Sequence, residues 1–340
     1  MGLRVIHHAT FVRNCSSINR EDRPDPRKGP RLRGRPSMIG ALAALFLVMV
    51  VGHVARRTLL PDPAIWSAGE KISYYLLIPA LLIETLAKAK LSSVPVGSIA
   101  AALLAGNLAM AALLLTIRRP LESRFGISGP SFTSIFQGSI RWNAFVALAM
   151  AGNLFGQAGV TLASVAMAVL IPVLNVQSVW VLRRYGSGQG GSLLRGLVTN
   201  PFIVGITIGL TLNVTGLVLP APVMAALNMV GSGALGLGLL LVGAGLQLED
   251  LRRPNLALML GVGLRLVVLP LIGGLAAIAL GLTSPAVAVV VICLAVPAAS
   301  ACYVLARQMG GDAPLMAAIL TAQTLVSFLT LPALFLFFRL

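Results

Sequence analysis

Two arginines stand where arginine is costly. Arg141 and Arg265 each lie about ten residues into a long apolar stretch, which at ~1.5 Å of rise per residue puts both near the middle of a ~30 Å hydrocarbon core. An arginine at that depth costs at least ~2.5 kcal/mol even on lenient insertion scales, so it faces a cavity or a partner. Few carboxylates lie near them in sequence. A guanidinium presents a planar fork of donors that fits a carboxylate, so the pair points to an anionic solute. The competing role is structural: either arginine could hold the backbone carbonyls of an interrupted helix.

An interruption is expected close by. Pro297 sits inside an apolar run; proline removes a backbone donor and clashes with the preceding turn, freeing carbonyls that only a protein-lined cavity satisfies at membrane depth. Asn143, two residues after Arg141, is a second polar group inside a span. Ser300, just beyond Pro297, would add a hydroxyl at a half-helix N-terminus, where unsatisfied N–H groups attract negative charge; bonding back to its own helix is its ordinary alternative. The candidate substrate-binding set is therefore Asn143, Arg141, Pro297, Arg265 and Ser300. Asn107 and Gln323, polar at apolar depth, are supporting candidates whose simpler role is interhelical hydrogen bonding.

Coupling to a proton would use a carboxylate or histidine, and the supply is thin. Glu84, near the outer end of its span, is the leading candidate, although Lys88 four residues on could simply pair with it. Glu70, His53 and Asp312 lie at span ends. Cys293 and Cys302 are nine residues apart in one apolar run and read as small buried hydrophobes. No metal-ligand spacing and no cofactor motif is present.

The elements that position these residues follow from composition. Of 340 residues, 57% are apolar and 11% charged, with a mean hydropathy of +0.91, against about 25% charged for soluble chains. Lipid must cover the excess. The net charge of +16 does not indicate nucleic acid, because the basic residues sit in short runs between apolar stretches. A spanning helix needs about 20 apolar residues. Ten such stretches run over 39–55, 66–87, 95–117, 132–155, 159–182, 200–218, 222–248, 255–280, 286–307 and 314–338.

Loop charge supplies a direction. The loops after spans 1, 3, 5, 7 and 9 hold eleven arginines, and the opposite set with the C-terminus holds Lys88, Lys90 and Arg339. Since Lys and Arg collect in the cytoplasm, both ends of the ten-helix body are placed outside it, in a multi-pass cytoplasmic (inner) membrane protein. Residues 1–37 conflict with this, carrying nine Lys or Arg against three acids. They are read as a disordered basic tail or a misassigned start, with Met38 as the true one. The domains are then the 1–37 tail, a first five-helix repeat over 38–184, a cytoplasmic linker over 185–199 and a second five-helix repeat over 200–340.

Five helices per half make the second half enter from the opposite side, as in inverted-repeat transporters. A shift of 154 residues places Asn143 on Pro297, Gly156 on Gly310, Ala147 on Ala301 and Ala163 on Ala317.

Short stretches in order carry a family resemblance: Ile78-Pro79-Ala80-Leu81-Leu82, Arg141-Trp142-Asn143 with Gly156, Ile171-Pro172 with Asn175, Asn200-Pro201, Gly243-Ala244-Gly245-Leu246, and Val296-Pro297 with Gly310-Gly311-Asp312. Over roughly 38–338 the chain resembles the auxin efflux carrier family, which includes bacterial malonate-type permeases and plant PIN carriers. The resemblance implies an all-α fold of ten transmembrane helices in two inverted five-helix repeats, with broken helices 4 and 9 crossing at the membrane centre and substrate binding there. Asn143 would mark one break and Pro297 the other. Met150 stands where the family usually has a proline, so helix 4 would break less sharply or rely on Gly152 and Asn153.

The reading is a secondary transporter, not an enzyme, moving a small organic anion such as a malonate-like or auxin-like carboxylate by alternating access. Paired aspartates, a histidine cluster and a serine with an evident base are absent from the spans, and no ring of charge suggests a pore. A channel or a sensor on a transporter-like fold is the alternative. Besides the solute the partners are the lipid bilayer and a coupling ion, proton or sodium; a homodimer is left open.

Overall fold

The computed structural model describes residues 38–91, 94–188, 200–252 and 255–340. The readings of residues 1–37, and of most of the 185–199 linker, fall outside the described residues. The chain divides into two units, Met1–Ser37 and Met38–Leu340, and every described residue belongs to the second.

Helix is the only regular structure among the described residues. α1 is Met38–Thr58, α2 Pro63–Ile72, α3 Ile78–Ala87, α4 Val96–Phe125, α5 Gly129–Ile140 and α6 Ala144–Tyr185, the last kinked into two helical halves at Gly156 (φ 59°, ψ −145°). After the linker come α7 Pro201–Thr215, α8 Ala221–Ala244, α9 Leu256–Gly263, α10 Leu269–Ala279, α11 Ala286–Ala295, α12 Ala301–Met309 and α13 Ala313–Phe338. By length and composition, five helical stretches can cross a membrane among the described residues: 96–125, 129–185, 221–244, 256–279 and 313–338.

Local chemistry explains many boundaries. Asp62, Ser128, Asn200 and Asp312 each accept a hydrogen bond from the first turn of the helix that follows, and each is followed within two residues by proline. A side-chain oxygen satisfies an orphan N–H at a helix start, and proline there loses nothing. Asp312, a coupling candidate by sequence, is thus a cap, and its carboxylate also accepts from Ser131 Oγ at 2.8 Å.

Two π turns share one cause. Ser73–Leu77 joins α2 to α3 and Leu264–Val268 joins α9 to α10, and in both the next two residues are X-Pro, Ile78-Pro79 and Leu269-Pro270. A proline ring clashes with the carbonyl four residues back, and the wider π turn makes room without stopping the helix. Tyr74 and Arg265 lie within these turns.

Burial divides the helices into core and lipid-facing sets. All ten residues of α11 and the last nine of α5, Phe132–Ile140, are buried. Leu47, Val50, Val51 and Val54 of α1 are exposed, as are Leu325, Phe328, Leu329, Leu336 and Phe337 of α13. Apolar area this extensive belongs against acyl chains rather than water. Between the two sets, α3 packs on α7 and α8, and α4 on α10. α1 meets α8 backbone to backbone: a Cβ on Gly52 would strike the Leu240 carbonyl oxygen, and one on Gly243 the Met49 carbonyl oxygen.

Candidate functional site

Both interruptions foreseen near mid-span are present. α5 ends at Arg141, which is extended (φ −78°, ψ 153°), and α6 starts after Asn143. α11 ends at Val296 (φ −66°, ψ 152°), and α12 begins at Ala301. The two breaks touch, because the Asn143 N–H donates to the Pro297 carbonyl at 2.8 Å. No proline is needed at the first break. Gly152 and Asn153 lie in helix, so the alternative in which the break relies on them is corrected: Asn143 caps α6 itself, its Oδ1 accepting from Phe145 N at 3.1 Å and Val146 N at 3.3 Å.

Helix ends buried at the breaks leave carbonyls without intrahelical donors. Arg265 supplies three of the missing bonds. Its Nε donates to Val296 O at 2.8 Å, Nη2 to Cys293 O at 2.9 Å and Nη1 to Ile140 O at 3.3 Å. The side chain is fully buried. A cation at two helix C-termini also matches their partial negative charge. Of the two roles open to Arg265 from sequence, this geometry is the bracing one.

Gln323 does the same from α13. Its Oε1 accepts from Ala298 N at 2.8 Å, while Nε2 donates to Gly138 O and Gly261 O, both at 2.9 Å. One amide therefore joins α5, α9 and the second break.

Arg141 is different. It is half-buried, and its Nη1 donates to Asn175 Oδ1 at 3.0 Å and Ser178 Oγ at 3.3 Å on α6. The Cys302 thiol is within hydrogen-bonding reach and the Tyr74 hydroxyl is close enough to interact electrostatically. Both salt bridges among the described residues lie elsewhere, at Glu84–Lys88 and Arg118–Glu122. Ser300 makes no capping bond to its own helix; it is exposed, within hydrogen-bonding reach of the Glu70 carboxylate.

The remaining candidates do not join this cluster by any contact the structure shows. Glu84 pairs with Lys88 at 2.7 Å and accepts from Asn228 at 3.4 Å, as its i, i+4 spacing allowed. Asn107 is buried with both amide atoms unpartnered. Sequence reasoning passed over Asn175, Ser178 and Tyr74 as site residues, and it placed Glu70 behind Glu84 for coupling. A signal existed for the first two, which are three residues apart on one helix face. Glu70 and Tyr74 meet the crossing only through the tertiary fold.

Residues 189–335 match the model of a membrane transport protein family. Arg265, Pro297, Ser300 and Gln323 fall inside the matched stretch, and Arg141 and Asn143 before it. No curated protein matches the chain. The family match bears out the resemblance to the auxin efflux carrier-type family, whose members are membrane transporters.

Proposed function

We propose that the protein is a secondary transporter that moves a small organic anion, a carboxylate, across the cytoplasmic membrane by alternating access. One observation carries the reading. Arg141 stands beside the touching breaks with neutral hydrogen-bond partners and, among the described residues, no carboxylate paired to it. A half-buried cation so placed gains most from an anionic ligand.

The proposed site consists of Arg141, Asn143, Pro297 and Ser300, with Asn175, Ser178 and Tyr74 around Arg141. Arg265 and Gln323 hold the frame. Glu70, beside Ser300, replaces Glu84 as the carboxylate in the path and as the candidate for coupling.

The proposed architecture is ten spans in two inverted repeats, with both ends of the body outside the cytoplasm. Two features support it. The residues at the 154-residue shift correspond in part, since Gly156 (φ 59°, ψ −145°) and Gly310 (φ 73°, ψ 32°) both adopt positive φ and each ends the half-helix that follows a break, though in different conformations. Asn143 and Pro297, paired by the same shift, are hydrogen-bonded to each other.

Uptake of labelled mono- and dicarboxylates into liposomes containing the purified protein tests this reading. Saturable uptake that is lost in Arg141→Gln supports it. Carboxylate uptake indifferent to that substitution, or absent across the panel, rules the site out.

A further inference from the structure

At the end of α1 lies a second polar recess, none of whose lining residues belongs to the crossing. It has a volume of about 250 Å³, and His53, Arg56, Arg57, Gln247 and Glu249 line it. Its walls follow from the glycine contact: Gly52 and Gly243 let α1 and α8 approach backbone to backbone, and the chain leaving α8 then folds over the last turn of α1. Arg56 secures that fold, donating from Nη1 to Ala244 O, the last residue of α8, at 2.7 Å. Thr321 Oγ1 fixes the other wall by accepting from Gln247 N at 3.1 Å.

Two arginines face one glutamate within the recess, and Glu249 is in neither of the salt bridges among the described residues. Glu70 attracts Arg56 from outside it, which leaves Arg57, exposed on the helix surface, as the leading donor. The recess also borders lipid-facing surface, because Val50, Val54 and Arg57 follow one another at helical spacing along the exposed stripe of α1. Trp66, whose indole N–H donates to Leu60 O at 2.8 Å, stands just past this end of the helix, as tryptophan does where a span meets the headgroup layer.

We propose that this recess binds the headgroup phosphate of an anionic phospholipid, with Arg57 and Arg56 as its donors and the acyl chains lying along Leu47, Val50, Val51 and Val54. Basic pockets at helix ends hold lipid phosphates in this way, an apolar groove continuing from a polar cup. A soluble anion would use the cup without the stripe.

Native mass spectrometry of the purified protein with added phosphatidylglycerol or phosphatidylcholine tests the assignment. Wild type should retain phosphatidylglycerol in preference to phosphatidylcholine. Arg57→Glu and, independently, Gln247→Glu should lose the preference, and Arg119→Glu, an exposed arginine of α4, should keep it. Equal retention of both lipids, or preference undiminished in both recess variants, overturns the proposal. Inorganic phosphate that competes at concentrations equal to phosphatidylglycerol also overturns it, by showing that the cup alone supplies the affinity.

Discussion

The backbone N–H of Asn143 donates to the backbone carbonyl of Pro297 at 2.8 Å, joining two residues 154 positions apart in the chain. Each lies in a break, so one helix interruption satisfies part of the other. The side chain of Asn143 is meanwhile occupied in capping α6, and the charged group beside the breaks that bonds to neither of them is Arg141.

Arg141→Gln should abolish high-affinity carboxylate uptake and leave the fold intact. A hydrogen bond to a charged group contributes about 1.5–3 kcal/mol, or roughly ten- to hundredfold in affinity. The check is KM in liposomes beside the melting temperature in detergent; an unchanged KM contradicts the role.

Arg265→Met should act on stability. It strands the carbonyls of Val296, Cys293 and Ile140, each at a cost of about 1–3 kcal/mol. Thermal unfolding in detergent should show a large fall or no recoverable protein. A variant that melts like wild type but no longer transports would restore Arg265 to direct substrate contact.

Gln323→Leu should resemble Arg265→Met. It keeps the bulk of the side chain but leaves Ala298 N, Gly138 O and Gly261 O without their partner. Thermal unfolding again decides, and a stability equal to wild type would show that water takes over these bonds.

Asn143→Ala removes a helix cap, worth about 1 kcal/mol, too little to unfold the chain. Melting temperature should fall slightly. If uptake falls by more than the roughly fivefold that about 1 kcal/mol can explain, Asn143 also acts on the solute or on the shape of the crossing.

Gly243→Ala places a methyl against the Met49 carbonyl oxygen, with backbone on both sides. The α1–α8 pair must separate, so yield and monodispersity on size exclusion should collapse. Gly236→Ala, where nothing lies within 4 Å, is the matched control.

The apolar lengths and the interrupted spans were legible in the sequence because burial of polar backbone in lipid leaves few solutions. The depth of Arg265 was legible too, but its role was not. Depth says that an arginine needs partners; it does not say that two helix ends converge on it. Gln323 was read as an interhelical hydrogen bonder, which it is, yet nothing along the chain marks Gly138 and Gly261 as its acceptors. Glu70 was obscured by its position near the end of a span, since the fold alone brings it to Ser300. The break at Asn143 was marked by the asparagine, whereas the absence of a proline at Met150 left open whether Gly152 and Asn153 took part, and they do not.

The hold of Gln323 on α5, α9 and the Pro297 segment has a mechanical consequence. Parts pinned by one short amide cannot slide past each other without losing buried bonds, so the crossing behaves as an axle. Under the proposed alternating access, the two faces would open by turning about it, and the close backbone approach of α1 and α8 at Gly52 and Gly243 would have to be kept through that turn.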